Sequence, residues 1–306
     1  MNDKIAYKSY AGYLKDRYGA RVFRVAVDPG FSCPNRISRD AGGCVYCDSR
    51  GSRAVYLDEA EAVREQVENG IAFLKKRYRA EVFLLYFQAF SGTFSSTDRL
   101  RQIYDYSLSL GDFRELIVST RPDCIDREKA DLLASYRDRG YDVWVELGLQ
   151  SCHDRTLRRI NRGHTVEDFE NACSILRENG IKTAVHLIFG LPGESFEDMM
   201  QSVNYTASLK PAGVKFHNLH VPKDTALHRQ YLTGSLSVPC LIRHVVYLSE
   251  AIERLGPETV VMRLTCDTPA ERRIAPVRDL KKTEVYSVLN KYMVKNGKYQ
   301  GRLYRG

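Results

Sequence analysis

No stretch of the chain approaches the roughly 20 consecutive apolar residues that a bilayer-crossing helix needs. The N-terminal run "MNDKIAYKSYAGYLKDRYGAR" also lacks the apolar segment of a secretory signal. Both absences predict a cytoplasmic protein that does not enter a membrane. Cysteine is sparse, with eight in 306 residues. A secreted disulfide scaffold is shorter and denser in cysteine, so reduced thiols are expected. There is no second C-x-x-C, which leaves no grouping for an auxiliary cluster. No internal repeat or low-complexity linker is visible. Acids are nearly absent from the C-terminus. Residues 281–306 carry Lys281, Lys282, Lys291, Lys295, Lys298, Arg302 and Arg305 against Glu284 alone.

What is present fits one large globular unit: 43% hydrophobic residues, 27% charged and a net charge of +8. The basic C-terminal tail is either a solvated helix or a surface for nucleic-acid phosphates. Lys291, Lys295 and Lys298 are its candidate RNA contacts, with Tyr299 and Tyr304 able to stack on bases.

Short apolar runs alternate with amphipathic stretches. Strands are expected at 21–27, 82–87, 115–119, 143–149, 183–189 and 213–221, each rich in Val, Ile, Leu and aromatics. Ala60, Val63, Val67, Ile71, Leu74 and Tyr78 recur at helical steps, predicting a helix within 57–79. Further helices are expected at 97–109 and 126–139. Thr165 with Asp168, and Ser195 with Asp198, resemble capping boxes that open two more. Such alternation implies an α/β protein with a parallel sheet, either an open doubly wound sheet or a barrel. In both, ligands gather at the C-terminal strand ends. Beyond residue 222 the rhythm loosens into helices at 236–255 and 280–296 around one further strand candidate at 259–265. The expected division is therefore a core over 1–222 and an extension over 223–306.

The loop after the first strand, "FSCPNRISRDAGGCVYCDSRG", holds Cys33, Cys44 and Cys47. A structural zinc site wants four ligands, and no fourth Cys or His lies at knuckle spacing. A thioredoxin-like pair would open a helix directly after a strand. A [4Fe–4S] cube held by three thiolates leaves one iron open, and the nearby glycines let backbone wrap it. The residues alone leave the cluster and zinc readings open. The other cysteines (Cys124, Cys152, Cys173, Cys240 and Cys266) are expected as small buried hydrophobes.

The loop resembles the signature of radical SAM enzymes, with Tyr46 as the aromatic before the last cysteine. Its ten-residue first gap resembles the elongator branch of that superfamily. "ELGLQS" (146–151), "LRRINRGHT" (157–165) and "HLIFGLPGES" (186–195) are similar to segments of elongator-type enzymes and oxygen-independent coproporphyrinogen oxidases. The resemblance implies a partial (β/α)6 TIM-like barrel with a C-terminal α-rich extension. It implies a [4Fe–4S] cluster on Cys33, Cys44 and Cys47, with S-adenosylmethionine (SAM) at the open iron and cleaved to a 5′-deoxyadenosyl radical. Gln150 and Arg162 match polar residues that contact the SAM ribose and carboxylate, and His186 stands where coproporphyrinogen oxidases have Asp. Gln88 or Ser91 in "QAFSGT" replaces the usual glycine-rich segment that receives the methionine amino group. Ser119, Thr120 and Glu146 complete the expected cofactor contacts.

Read from the residues themselves, a lone histidine in an apolar strand such as His186 is more often a satisfied core residue, and Glu146 needs a partner wherever it is buried. His217 and His220 either line the pocket or simply alternate along the last strand. The resemblance and the basic charge together favour a tRNA-modifying enzyme acting at the C5 substituent of wobble uridine, with a reductant such as flavodoxin or ferredoxin. The rivals are a radical SAM enzyme for a small molecule or peptide, and a non-catalytic zinc- or cluster-bearing RNA-binding protein.

Overall fold

The computed structural model describes residues 5–38, 41–51, 53–54, 57, 62–266, 268–277 and 281–306. In chain order the elements are α1 (Tyr10–Tyr18), β1 (Val22–Val27), α2 (Val63–Tyr78), β2 (Val82–Phe87), α3 (Thr97–Ser109), β3 (Phe113–Thr120), α4 (Arg127–Asp138), β4 (Asp142–Gln150), α5 (Asp154–Arg159), α6 (Val166–Glu178) and β5 (Lys182–Phe189). They continue with α7 (Phe196–Ser208), β6 (Gly213–Asn218), β7 (Val221–Pro222), α8 (Ala226–Leu232), α9 (Leu241–Arg254), β8 (Val260–Arg263), β9 (Arg273–Ala275) and α10 (Lys282–Lys295). Ala60, assigned above to a helical face, lies outside the described residues.

The strands β1, β2, β3, β4, β5, β6 and β8 form one parallel sheet in that order. It curls into a half-barrel with helices on the convex side. The predicted partial barrel gains a seventh strand, because β8 from the extension pairs with β6. A two-stranded antiparallel ribbon of β7 and β9 joins the end of β6 to the extension.

Strand alternation explains the layers. Val25, Leu85, Val118, Val145, Val185 and Phe216 point outward into one apolar core with Val67, Leu100, Leu133, Leu176, Val203 and Leu248 of the helices. Each such side chain contributes about 1.5–3 kcal/mol by leaving water. Ala26, Leu84, Ile117, Trp144, Ala184 and Met262 belong to a second cluster on the concave face, which Leu14 of α1 stoppers. The two predicted capping boxes are formed: Thr165 and Ser195 accept from the N–H groups of Asp168 and Asp198.

The C-terminal segment corrects one expectation. Lys298 is turned inward, donating to Glu250 at 2.6 Å and Glu253 at 2.8 Å in the last turns of α9. Gln300 donates to the carbonyls of Gly256 (2.7 Å) and Thr259 (2.8 Å), just before β8 begins. The end of the chain therefore lies by the N-terminal edge of the sheet, away from the strand ends where ligands gather. Lys298 is a structural cation, because α9 supplies carboxylates that tie it down. Tyr304 packs on Gly256 at the same remote end.

Candidate functional site

The cysteine loop leaves the C-terminal end of β1 and is stitched to the segment after α5. Val45 N–H donates to Ile160 O (3.0 Å), the Asn161 amide to Gly43 O (2.8 Å), and the Asn35 amide to Asn161 O (2.6 Å). Gly42 and Gly43 take left-handed φ of 81° and 90°, which lets the loop turn back before Cys44. That stitching delivers Arg162, whose Nη1 lies 3.6 Å from Cys44 Sγ. Burial opposes ionisation of Cys44, but the charge and hydrogen bond of Arg162, with Arg121 and Tyr46, outweigh it and lower the thiol pKa. Burial raises the Cys47 thiol, against the opposing charge of Arg36, whose Nη2 is 3.0 Å from its sulfur.

All three thiols are free and line one cavity of about 140 Å³. Tyr46, Gln88, Ser119, Thr120, Gln150, Arg162 and His186 line it too. A buried Arg162 Nε has no partner among the described residues, and the buried Tyr46 hydroxyl faces the Cys44 thiol. Three reduced thiols, one with a lowered pKa, beside an unspent donor are a donor set that fits an iron–sulfur cluster and a polar ligand. No three His, Cys, Asp or Glu side chains among the described residues gather as a single metal ion requires. A polynuclear cluster does not demand that convergence, since its thiolates sit on different irons.

Local backbone explains the strand-end residues. Gln150 has a left-handed φ of 72° at a register shift between β4 and β5. Strain of this kind is kept where the surroundings fix it. A Cβ at Gly148 would come within 2.5 Å of both Arg162 Nη2 and Gln150 Nε2, so only glycine leaves these two side chains in place. Ser91 is spent on Thr120 (2.7 Å), which also meets Thr93 (2.6 Å). Of the two candidates in "QAFSGT", Gln88 is therefore the one at the cavity.

Glu146 is not in the cavity wall. It is fully buried beneath it, taking Arg24 on Oε1 (3.0 Å) and Tyr86 on Oε2 (2.7 Å), with Lys215 also on Oε2. Despite complete burial, Lys215 and Arg24 hold its carboxyl well below the ordinary range. His186 Nε2 lies 3.3 Å from the same oxygen. Burial, with the Lys215 and Arg263 charges, lowers His186 to about 4 against the pull of Glu146, so its ring is neutral at neutral pH. His217, 5.4 Å away between ring centroids, is held neutral by burial and by Arg263.

A second cavity of about 480 Å³ adjoins the first, sharing Tyr46, Cys47, Gln88, Gln150, His186, His217 and Arg263. Its far wall comes from the extension, through Cys266, Thr268, Pro269 and Arg272. His220 lines it as well. Cys266 thus lines a cavity, and Cys240 is exposed beside the start of α9; neither is the buried hydrophobe expected from spacing. Sequence reasoning also missed Arg36, Arg121, Lys215 and Arg263. Only Lys215 carried a signal, as a lone cation inside an apolar strand.

The chain is similar to known proteins. The sequence signature of the Radical SAM superfamily matches residues 31–206, and that of the Radical_SAM C-terminal domain matches 211–295. The chain belongs to the radical SAM superfamily, and its cofactors are a [4Fe–4S] cluster and SAM. Within it, the chain is 34% identical to YtqA of Bacillus subtilis over 99% of its own length and 94% of the relative's. It is 30% identical to the tRNA uridine(34) acetyltransferase of Methanocaldococcus infernus, over 60% of this chain and 33% of that protein. The structure of the archaeal Methanocaldococcus infernus Elp3 with its N-terminus deleted superposes with a TM-score of 0.71 at 20% identity. That likeness covers 92% of this chain and 64% of the Elp3 chain, so this protein spans under two thirds of it. Among the described residues no helix is long and apolar enough to cross a membrane.

Proposed function

We propose that the protein is a radical SAM enzyme that modifies a tRNA nucleoside, at the C5 substituent of wobble uridine, in the cytoplasm. The observation that carries the RNA reading is a basic cleft of about 560 Å³ on the outer side of the cysteine loop. Arg36, Arg50, Lys223, Arg229 and Arg272 line it against Asp48 and Asp224. Lys223 and Arg229 are exposed and have no side-chain partner among the described residues. The cleft shares Cys47, Asp48, Arg50 and Arg272 with the second cavity, so a strand with its phosphates in the cleft can place a base inside. Similarity to a tRNA uridine(34) acetyltransferase supports the same substrate class.

In this reading Cys33, Cys44 and Cys47 hold the cluster and Tyr46 packs beside it. When bound, the reduced cluster supplies the electron that cleaves SAM to a 5′-deoxyadenosyl radical. A reductant such as flavodoxin or ferredoxin delivers that electron. Arg162, Gln150, Gln88, Ser119 and Thr120 orient SAM, with neutral His186 beside them. Glu146 acts from below, fixing Lys215 and Tyr86. Residues 1–222 form the catalytic core, and 223–306 supply the far wall and the seventh strand.

The test compares tRNA nucleosides by mass spectrometry between cells with the protein, cells lacking it, and cells carrying Cys44→Ala. One modified uridine lost in the latter two supports the reading. Identical profiles in all three contradict it.

A further inference from the structure

Among the described residues four arginines line the second cavity, the one of about 480 Å³ that adjoins the cofactor cavity: Arg50, Arg53, Arg263 and Arg272. Arg53 is paired with Asp28 and Arg272 with Asp48, both buried or half-buried bridges. Arg50 donates to the carbonyl of Leu57 at 3.1 Å; among the described residues its buried Nε is unpartnered and no carboxylate meets its guanidinium. Arg263 is half-buried and has no hydrogen bond or ion pair among the described residues. Among the described residues lining this cavity Asp48 is the one acid, and Arg272 already occupies it.

The position of Arg263 sharpens the point. It is register-paired with Lys215 across β6 and β8, so both side chains leave the sheet on the same face. Glu146, the buried carboxylate that Lys215 meets, already accepts from Arg24, Tyr86 and Lys215 and makes no hydrogen bond or ion pair with Arg263. A half-buried guanidinium facing a cavity without a counter-charge is costly unless a ligand supplies one. His217 Nε2, in the same wall, is buried and also has no partner among the described residues. Arg263 and His217 line both this cavity and the cofactor cavity, and Arg50 lines this cavity on the side of the outer cleft.

We infer that Arg263, together with Arg50, is an anion-binding residue of the substrate site, and that the substrate brings a phosphate or carboxylate group into this cavity. The planar fork of Arg263 suits either group bidentately, and His217 donates or accepts one further bond to the group beside it. The inference rests on this second cavity being the substrate site, as the proposed function has it, but not on the substrate being RNA.

The test uses the full chain, with its cluster assembled anaerobically and SAM present. Equilibrium binding is measured for uridine, uridine 5′-monophosphate and glutarate, on the wild type, Arg263→Lys and Arg263→Gln. At least one anionic probe should bind the wild type more tightly than uridine. Arg263→Gln should lose about tenfold or more of that affinity, as a charged hydrogen bond is worth, and Arg263→Lys less. Uridine affinity should stay level across all three proteins. Preference for the monophosphate assigns a nucleotide phosphate. Preference for glutarate alone keeps the role of Arg263 while contradicting the RNA reading. The inference is overturned if neither anion outbinds uridine, if Arg263→Gln leaves the preference intact, or if that variant loses SAM affinity instead. Arg263→Lys, which keeps the charge, reports on folding when Arg263→Gln is poorly behaved.

Discussion

Arg162 stands 3.6 Å from the Cys44 sulfur through one guanidinium nitrogen and 2.9 Å from the Gly148 carbonyl through another. One side chain thereby ties the cysteine loop to the end of β4, although 118 residues separate it from Cys44. The thiol gains a counter-charge only when the half-barrel is closed.

Gly148→Ala tests that link without touching a ligand atom. The new Cβ would meet Arg162 Nη2 and Gln150 Nε2 at 2.5 Å, and both are flexible ends that can move aside. The fold should survive, while SAM affinity falls about tenfold or more through loss of charged hydrogen bonds. Calorimetry on the cluster-loaded protein measures it. Unchanged affinity would remove Arg162 and Gln150 from the SAM site.

Lys215→Met strips a buried cation from a carboxylate that is itself fully buried. Breaking such a pair costs about 3–5 kcal/mol, because Glu146 is left less compensated. Replacing both, as Glu146→Gln with Lys215→Met, should recover much of the loss. Denaturant unfolding of the single and double variants decides; equal losses in both would mean that the pair does not act as a unit.

Glu115 predicts a pH effect. Burial raises its carboxyl to about 7, with Tyr18 donating to one oxygen at 2.8 Å and the other oxygen unpartnered. Because the folded pKa lies above the unfolded one, the folded state holds more protons between about pH 4.5 and 7. Its contribution is therefore favourable below that window and is lost as pH rises through it. Glu115→Gln should stabilise the protein at pH 8 by up to about 3 kcal/mol and change little at pH 4. Thermal melts across that range would show a flat difference if Glu115 ionises freely in the fold.

The basic cleft separates two positive surfaces. Neutralising Lys223 and Arg229 should weaken tRNA binding and reduce its salt slope by about one unit per residue. Neutralising Lys291 and Lys295, near the opposite end of the sheet, should do neither. The reverse pattern would return RNA binding to the C-terminal helix.

Much of this architecture is legible in the chain. Strands such as 82–87 announce themselves because buried parallel strands are continuous apolar runs, and "CVYC" with its glycines marks the loop. The capping residues Thr165 and Ser195 fix two helix starts locally. What the sequence hides is long-range. Glu146 looked available because its three partners come from β1, β2 and β6, and Lys298 looked free because its acids lie on α9. Arg263 could not be placed at all, since its role depends on β8 joining β6 and on Glu146 being already satisfied.

The most direct test is the metal and the reaction it supports. Wild-type protein purified without oxygen should hold about four irons in a [4Fe–4S] cluster and, once reduced, convert SAM to 5′-deoxyadenosine and methionine. Cys44→Ala should lose both. A colourless zinc protein, or an iron protein that leaves SAM intact under reduction, would contradict it.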